Sequence, residues 1–118
     1  MKVCRCFEFD AAHKLPEYEG KCANLHGHHW KVEIELTGDI DNKTGMVLDF
    51  NDLKTIINPM IDKLDHHYLN DMIPNPTAEN IVMWFRWELA VTSINAKLSK
   101  IRVYETNNSY AEWERGGL

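Results

Sequence analysis

The chain lacks any long apolar run. Nowhere in its 118 residues is there a stretch approaching the ~18 consecutive apolar residues of a membrane span. Lys2, Arg5 and Glu8 place charges where a signal peptide would have its apolar core. Runs of basic residues are also missing and the net charge is −5, which disfavours binding to nucleic-acid phosphates. We therefore expect a cytoplasmic protein that binds neither membranes nor nucleic acid.

Cysteine is scarce, with one residue each at Cys4, Cys6 and Cys22. An odd number gives no disulfide framework, and residues two apart in a strand are poorly placed to bridge. We interpret Cys4 and Cys6 as small buried hydrophobic residues with free thiols, which suit a reducing compartment. The length fits one domain over residues 1–118, and no internal repeat divides it.

Alternation of apolar and polar residues predicts the first strands. We expect strands over residues 2–10 and about 28–37, separated by an irregular loop over 14–25. Residues 38–45 are rich in Gly, Asp and Asn, which is typical of a turn. The short apolar segment 46–48 is predicted to be a third strand that forms a hairpin with the second.

Two helices should follow. Asp49 can cap the first, whose apolar residues recur at helical spacing; these are Leu53, Ile56, Ile57, Met60, Ile61 and Leu64. Pro59 lies inside this pattern and should kink or split the helix. Thr77 is the expected cap of the second helix, predicted to run to about residue 97 with Val91 among its apolar positions. Strands over 100–106 and 110–113 complete an α+β chain.

Histidines cluster after Cys22. His26 and His28 share the phase of the apolar residues that follow, so both imidazoles project from one face of a strand. Neutral imidazole is the commonest metal ligand and suits zinc, which in a catalytic site takes three protein ligands and leaves one position open. His13 is a possible third ligand, although a single histidine at a strand end is more often simply hydrogen-bonded. The pattern predicts a zinc site.

Glu105 occupies the apolar phase of its strand, with Ile101 and Val103. A carboxylate there needs a partner, which could be a protein cation or a donor on a ligand. Asp65 and His66 follow the first helix, and by pattern alone His66 is simply a favourable charge near a helix C-terminus.

Seven short motifs occur in one order along almost the whole chain. They are residues 9–13 (FDAAH), 22–28 (CANLHGH), 45–54 (GMVLDFNDLK), 64–66 (LDH), 69–70 (LN), 76–80 (PTAEN) and 104–106 (YET). Together they resemble the 6-pyruvoyl-tetrahydropterin synthase family. The three residues between Cys22 and His26 are similar to the branch that makes 6-carboxytetrahydropterin for queuosine (7-deazaguanine) biosynthesis. The resemblance implies a lyase acting on 7,8-dihydroneopterin triphosphate, with acetaldehyde and triphosphate as the other products.

The resemblance also implies a metal site with a base beside it. His13, His26 and His28 would hold Zn²⁺, and Cys22 would act as the base toward the substrate's side chain. A Lewis acid at this position polarises a carbonyl, and a nearby dication favours the thiolate.

Four further residues take roles from the resemblance. Asp65 and His66 would form a proton-transfer dyad, in which the carboxylate orients the imidazole. Glu105 would anchor the pterin ring through a bidentate pair, and Thr106 would add a hydroxyl contact.

The implied architecture is the tunnelling fold, a four-stranded antiparallel sheet with two helices on one face. Subunits of that family join into barrels, so a homohexamer built as a dimer of trimers is expected, with sites between subunits. Two alternatives stay open. One is triphosphate elimination to 6-pyruvoyl-tetrahydropterin without carbon–carbon cleavage. The other is a non-catalytic, zinc-bearing oligomerisation module in which Cys22 is the fourth ligand.

Overall fold

A computed structural model describes residues 1–117, and Leu118, the last residue of the expected domain, lies outside the described residues. The elements, in chain order, are β1 (Lys2–His13), β2 (His26–Thr37), α1 (Phe50–Leu64), α2 (Ala78–Leu89), β3 (Leu98–Thr106) and β4 (Ser109–Glu114). The strands form one antiparallel sheet in the order β1-β2-β3-β4. This sheet with its two helices confirms the predicted α+β tunnelling fold. Over the described residues, neither helix has the length and apolar character needed to span a membrane.

Strand alternation places the core between one face of the sheet and the helices. On β2 the apolar positions are fully buried, and they are Trp30, Val32, Ile34 and Leu36. Phe9 of β1 stacks on Trp30 and also meets Phe85 of α2, with ring centroids 6.1 and 6.5 Å away. Because both strands bury the same phase, any residue in that phase points toward the helices.

The predicted stripe of α1 is confirmed, because all but one of its residues are buried and Ile56 packs at the edge of the core. Asp49 caps the helix by accepting a hydrogen bond from the Asn51 amide at 2.8 Å. Pro59 does not split the helix, which is continuous from Phe50 to Leu64. Proline removes one backbone donor, and the apolar face packed on both sides of it holds the helix together.

The strand predicted over residues 46–48 is wrong. The segment forms bends between the sheet and α1. Val47 is buried, but its carbonyl accepts from the Lys97 side chain at 3.0 Å, and Met46 accepts from the Asp41 amide at 2.9 Å. Loop contacts therefore satisfy this backbone without a partner strand, and of the three side chains only Val47 is buried.

The predicted extent of α2 is also wrong, because the helix ends at Leu89. Thr92 turns the chain there: its amide and its hydroxyl both donate to the Leu89 carbonyl, at 3.1 and 2.7 Å. β-Branched residues lose side-chain freedom in a helix, and Val91 and Thr92 stand side by side. Val91, expected on the apolar face, is 91% exposed.

Cys4 and Cys6 are free thiols, as expected, but they are exposed and not buried. Both lie in the even phase of β1, opposite the buried Phe7 and Phe9, and so on the face of the sheet that carries no helix. Sequence alternation contained this information, because the two apolar phenylalanines share the other phase.

The cap of α2 offers a test of the local folding argument. Thr77 Oγ1 accepts a hydrogen bond from the Asn80 amide at 3.1 Å. Replacing Thr77 with alanine should lower the free energy of unfolding by about 1 kcal/mol, because a helix amide loses its acceptor. Thr77→Ser keeps the hydroxyl and serves as the control. Equal stability of the two variants in chemical denaturation would contradict a capping role.

Candidate active site

β1 and β2 both extend further than the sequence predicted, and this extension assembles the histidines. The ladder continues to the pairs Ala11↔His28 and His13↔His26. All three imidazoles lie in the phase that faces the helices, as predicted for His26 and His28. Their ring centroids are 4.4 to 5.1 Å apart, and His13 is completely buried. The structure therefore brings together all three predicted metal ligands.

Backbone carbonyls fix the tautomers of two of these rings. His13 Nδ1 lies 2.8 Å from the Pro76 carbonyl oxygen, and His26 Nδ1 lies 2.7 Å from that of Asn24. A carbonyl only accepts, so each Nδ1 carries the hydrogen and each Nε2 presents a lone pair. The two Nε2 atoms face each other at 2.9 Å. Two lone pairs at this distance repel unless a cation lies between or beside them.

The third ring adds an atom without a hydrogen-bond partner. His28 Nε2 is buried and makes no hydrogen bond to any described residue. Glu105 Oε1 lies only 3.0 Å from it, so the two are in contact although their geometry does not form a directed hydrogen bond. The ligand atoms of His13, His26, His28 and Glu105 all lie within 4.8 Å of one another. These four residues, the metal-ligand group, fit a metal ion.

Burial sets the protonation of His13 and His28. It lowers the pKa of His13 below the ordinary 6.5, and the hydrogen bond to the Pro76 carbonyl only partly opposes this. Burial likewise lowers the pKa of His28, against the raising effect of the Glu105 carboxylate. Both rings are therefore neutral at neutral pH, and neutral imidazole is the form that binds a metal.

These shifts predict the acid sensitivity of the metal-free protein. The pKa of each of these two histidines is lower in the folded protein than in the unfolded chain, so the unfolded chain binds the proton more readily. Protonation below pH 6.5 therefore lowers the free energy of unfolding, whereas above pH 6.5 there is no such loss. Denaturant titrations at pH 8 and pH 5.5 should show a lower free energy of unfolding at the acidic pH. Equal free energies of unfolding at the two pH values would contradict the lowered pKa of His13 and His28.

His29 provides the matched control. It is exposed on the other face, and hydrogen bonding to Asp10 raises its pKa. Its contribution has the opposite sign: it is present below pH 6.5 and lost as the pH rises through the raised value. His29→Gln should therefore make the acid loss steeper, whereas His28→Gln should make it shallower.

Cys22 is not a member of the metal-ligand group. It lies half-buried in a short 3₁₀ turn, Lys21–Ala23, in the loop between β1 and β2, and its carbonyl accepts from the Leu15 amide at 3.0 Å. Glu105, and not Cys22, has an atom within 4.8 Å of the ligand atoms of the three histidines. This arrangement does not favour the alternative in which Cys22 closes a structural zinc site.

Asp65 and His66 also lie outside the group, at the end of α1. Asp65 Oδ1 accepts from the Asp10 amide at 2.9 Å, and the His66 amide donates to the Asp10 carbonyl at 2.7 Å. His66 adopts a left-handed backbone with φ of 59°, and its Nδ1 lies 3.0 Å from Asp65 Oδ1. The pair is thus preformed on the outer edge of β1, with an exposed imidazole.

Thr106 is the other predicted residue that the structure does not bring to the group. Its hydroxyl donates to the Asn108 side chain at 2.9 Å in the turn between β3 and β4.

Sequence reasoning missed the groups that hold the histidines in place. The Asn70 side chain accepts from the Lys14 amide and donates to the Lys14 carbonyl, at 2.9 and 2.8 Å, which fixes the chain just after His13. The carbonyls of Pro76 and Asn24 orient His13 and His26. Asn70 and Pro76 both lie in the short motifs described above, but the backbone role of a carbonyl has no signature in sequence.

An open cavity of about 370 Å³ lies near the ends of β1 and β2, lined by Ala12, Lys14, Leu25 and Tyr68. None of the three histidines lines it, and Ala12 lies in the strand phase opposite to that of His13.

Comparison with known sequences gives consistent matches over nearly the whole chain. The profile of the family described as 6-pyruvoyl tetrahydropterin synthase matches residues 2–116. The 6-carboxy-5,6,7,8-tetrahydropterin synthase of Synechocystis sp. is 39% identical over 114 residues, covering 91% of this chain and 88% of the relative. The dihydroneopterin monophosphate aldolase of Pyrococcus furiosus is 37% identical over 109 residues, covering 90% of each chain.

Comparison with solved structures agrees. The structure of Caenorhabditis elegans 6-pyruvoyl tetrahydropterin synthase superposes with a TM-score of 0.89 at 28% identity, covering 97% of this chain and 94% of that one.

Proposed function

Because the chain belongs to the 6-pyruvoyl tetrahydropterin synthase family, we propose that it is a zinc-dependent lyase of queuosine biosynthesis. It converts 7,8-dihydroneopterin triphosphate to 6-carboxy-5,6,7,8-tetrahydropterin, acetaldehyde and triphosphate. The observation that carries this proposal is the convergence of His13, His26 and His28 on one point. The relatives named 6-carboxytetrahydropterin synthase support the choice of product.

The three histidines are proposed to hold zinc through their Nε2 atoms. Zinc suits three imidazole ligands with further positions open, and when bound it polarises a carbonyl and acidifies a coordinated hydroxyl. The hydrogen bonds to the Pro76 and Asn24 carbonyls keep the lone pairs of His13 and His26 directed inward.

Proton transfer is assigned to the chain's own side chains. The reaction reduces the dihydropterin ring while it oxidises the first side-chain carbon, expels triphosphate, and consumes one water as the bond between the first two side-chain carbons breaks. These steps require a base that takes a proton from carbon and an acid that returns a proton to the product. Cys22, in the turn just before His26, is proposed as the base that takes the proton from carbon.

The Asp65–His66 dyad is proposed to return protons to the product. Asp65 accepts from the Asp10 amide and orients the His66 ring, which is exposed and free to meet a substrate. Since the dyad lies outside the metal-ligand group of its own chain, we propose that it serves a site shared with a second copy. The outer edges of β1 and β4 are the edges of the sheet, and pairing between copies there would build the expected barrel and homohexamer.

The pterin ring is assigned to Glu105, with Thr106 as an additional hydroxyl contact. A carboxylate matches the ring N–H and the exocyclic amine through two parallel hydrogen bonds. The proposed partner is thus a small pterin triphosphate in the cytoplasm, and neither nucleic acid nor a membrane enters the proposal.

Two other reactions are competing candidates. A 6-pyruvoyl-tetrahydropterin synthase would eliminate triphosphate and keep all three side-chain carbons. The Pyrococcus furiosus relative supports a second possibility, an aldolase acting on the monophosphate, which would release a phosphorylated two-carbon aldehyde.

Product analysis separates these reactions. The zinc-loaded protein is incubated with dihydroneopterin triphosphate and, separately, with the monophosphate, and acetaldehyde is trapped as a hydrazone. We expect acetaldehyde and 6-carboxytetrahydropterin in equal amounts from the triphosphate. A pyruvoyl product without acetaldehyde, or turnover of the monophosphate alone, would contradict the proposal.

A further inference from the structure

We propose that Glu105 is a metal ligand in the substrate-free protein and leaves the metal to bind the pterin, so that metal and pterin compete for one carboxylate. This inference rests on the proposed function, and it concerns how the site exchanges partners.

Strand phase directs Glu105 toward the histidines, and a shift in the β3–β4 register leaves it outside the ladder. Tyr104 pairs with Tyr110 and Thr106 pairs with Ser109, so β3 advances two residues while β4 advances one. Glu105 is the extra residue of this bulge. The ladder to β2 also ends just before it, at the pair Lys31↔Tyr104. Bulges recur next to functional sites. Here the bulge leaves Glu105 unpaired in the ladder, while the phase that it shares with Ile101 and Val103 points its carboxylate toward His28.

Within residues 1–117, the Glu105 carboxylate has no lysine or arginine as its partner. Among the ion pairs of residues 1–117, Glu105 is joined only to His28, at 3.0 Å, without a directed hydrogen bond. If His28 Nε2 binds the metal, it has no hydrogen to donate to Glu105. A carboxylate that is only 29% exposed and lies in the same cluster as the lone pairs of His13 and His26 is stabilised by a cation. The metal ion that those lone pairs require supplies it.

The same carboxylate cannot serve metal and pterin at once. A bidentate pair with the pterin uses both carboxylate oxygens, whereas a metal bond occupies at least one. In the pterin ring, the N–H edge that Glu105 would bind and the reacting side chain lie at opposite ends. When the side chain is at the histidines, the N–H edge must be farther from them than Glu105 Oε1 is in this structure. Glu105 therefore has to turn away from His28 when the substrate binds.

Competition of this kind has a thermodynamic signature. If the metal must release Glu105 before a pterin binds, bound metal weakens pterin binding, and by linkage pterin weakens metal binding by the same factor. A simple pterin anchor that never touches the metal predicts no such coupling. The probe must be pterin without a side chain, because a side chain would add its own attraction to the metal.

The experiment measures the affinity of unsubstituted pterin for the metal-free and the zinc-loaded full chain, by calorimetry. We expect zinc to weaken the binding at least about 5-fold, which is the lower end of ordinary coupling between sites. The zinc affinity, measured with a competing chelator, should fall by the same factor at saturating pterin.

Glu105→Gln tests the residue itself. The amide should lower zinc affinity at least about 10-fold, weaken pterin binding in both forms, and abolish the coupling. The melting temperature of the metal-free variant should stay near normal, because the side chain forms no directed hydrogen bond. Glu112→Gln is the matched control: this carboxylate lies on β4 and pairs with Arg102 at 2.7 Å, so its loss should leave the coupling intact.

The outcomes separate the inference from the proposed function. Equal pterin affinity with and without zinc in the unaltered chain would overturn the inference, as would full zinc affinity or persistent coupling in Glu105→Gln. A large drop in melting temperature with unchanged pterin affinity would overturn it too, because Glu105 would then be structural. If acetaldehyde is still released in these cases, the lyase proposal stands. If the coupling is present but no pterin product forms, the lyase proposal fails instead.

Discussion

His28→Ala is expected to lose its zinc and its turnover together. The substitution removes one of three imidazoles from the metal-ligand group and leaves the His13 and His26 lone pairs 2.9 Å apart without the third imidazole. The loss of one ligand lowers the zinc affinity of the group. Metal content after dialysis and acetaldehyde release should therefore both fall to background. His26→Ala should behave in the same way.

The neighbouring histidine provides the control for this result. His29 is adjacent in sequence but points to the opposite face of the sheet, where it contacts Asp10. His29→Ala should keep about one zinc per chain. A His28→Ala protein that retained its full zinc content would show that the site is assigned to the wrong residues.

Cys22→Ala is expected to keep its zinc and its fold but lose most of its activity. The thiol lies outside the metal-ligand group, so its removal costs no ligand. A general base typically contributes a factor of about 100 or more, and kcat for acetaldehyde formation should fall at least that far. Cys6→Ala, on the helix-free face, should change neither zinc nor kcat.

The alternative role of Cys22 makes the opposite prediction. If the thiol were the fourth ligand of a structural zinc, Cys22→Ala would lose zinc in proportion to any activity. That result would support the oligomerisation module and remove the proposed base.

The strand phase was the strongest signal in the sequence. Because successive side chains of a strand alternate between faces, the position of Trp30 alone determined that His28 and His26 point toward the helices. The stripe of α1 and both helix caps were likewise predicted, since they depend on local spacing and on single side chains. These features involve only residues close together in sequence.

Features that depend on contacts between distant segments were not predictable. The lengths of β1 and β2 follow from their mutual pairing, and only that pairing puts His13 opposite His26. The bulge at Glu105 is defined by the register of β3 against β4. The error at Cys4 and Cys6 has a different cause. Cysteine tends to be buried, but here the strand phase decides the exposure of both residues and places them on the face without helices.

The zinc absorption edge of the loaded protein tests the central claim most directly, because it reports which atoms coordinate the metal. We predict three imidazole nitrogens at about 2.0 Å together with oxygen, and no sulfur. The oxygen ligand, which is Glu105 in the substrate-free protein, leaves when the substrate binds, so this coordination is that of a catalytic and not of a closed structural site. A sulfur ligand at about 2.3 Å would show that Cys22 closes the site and would contradict the assignment of the chain as a zinc-dependent lyase.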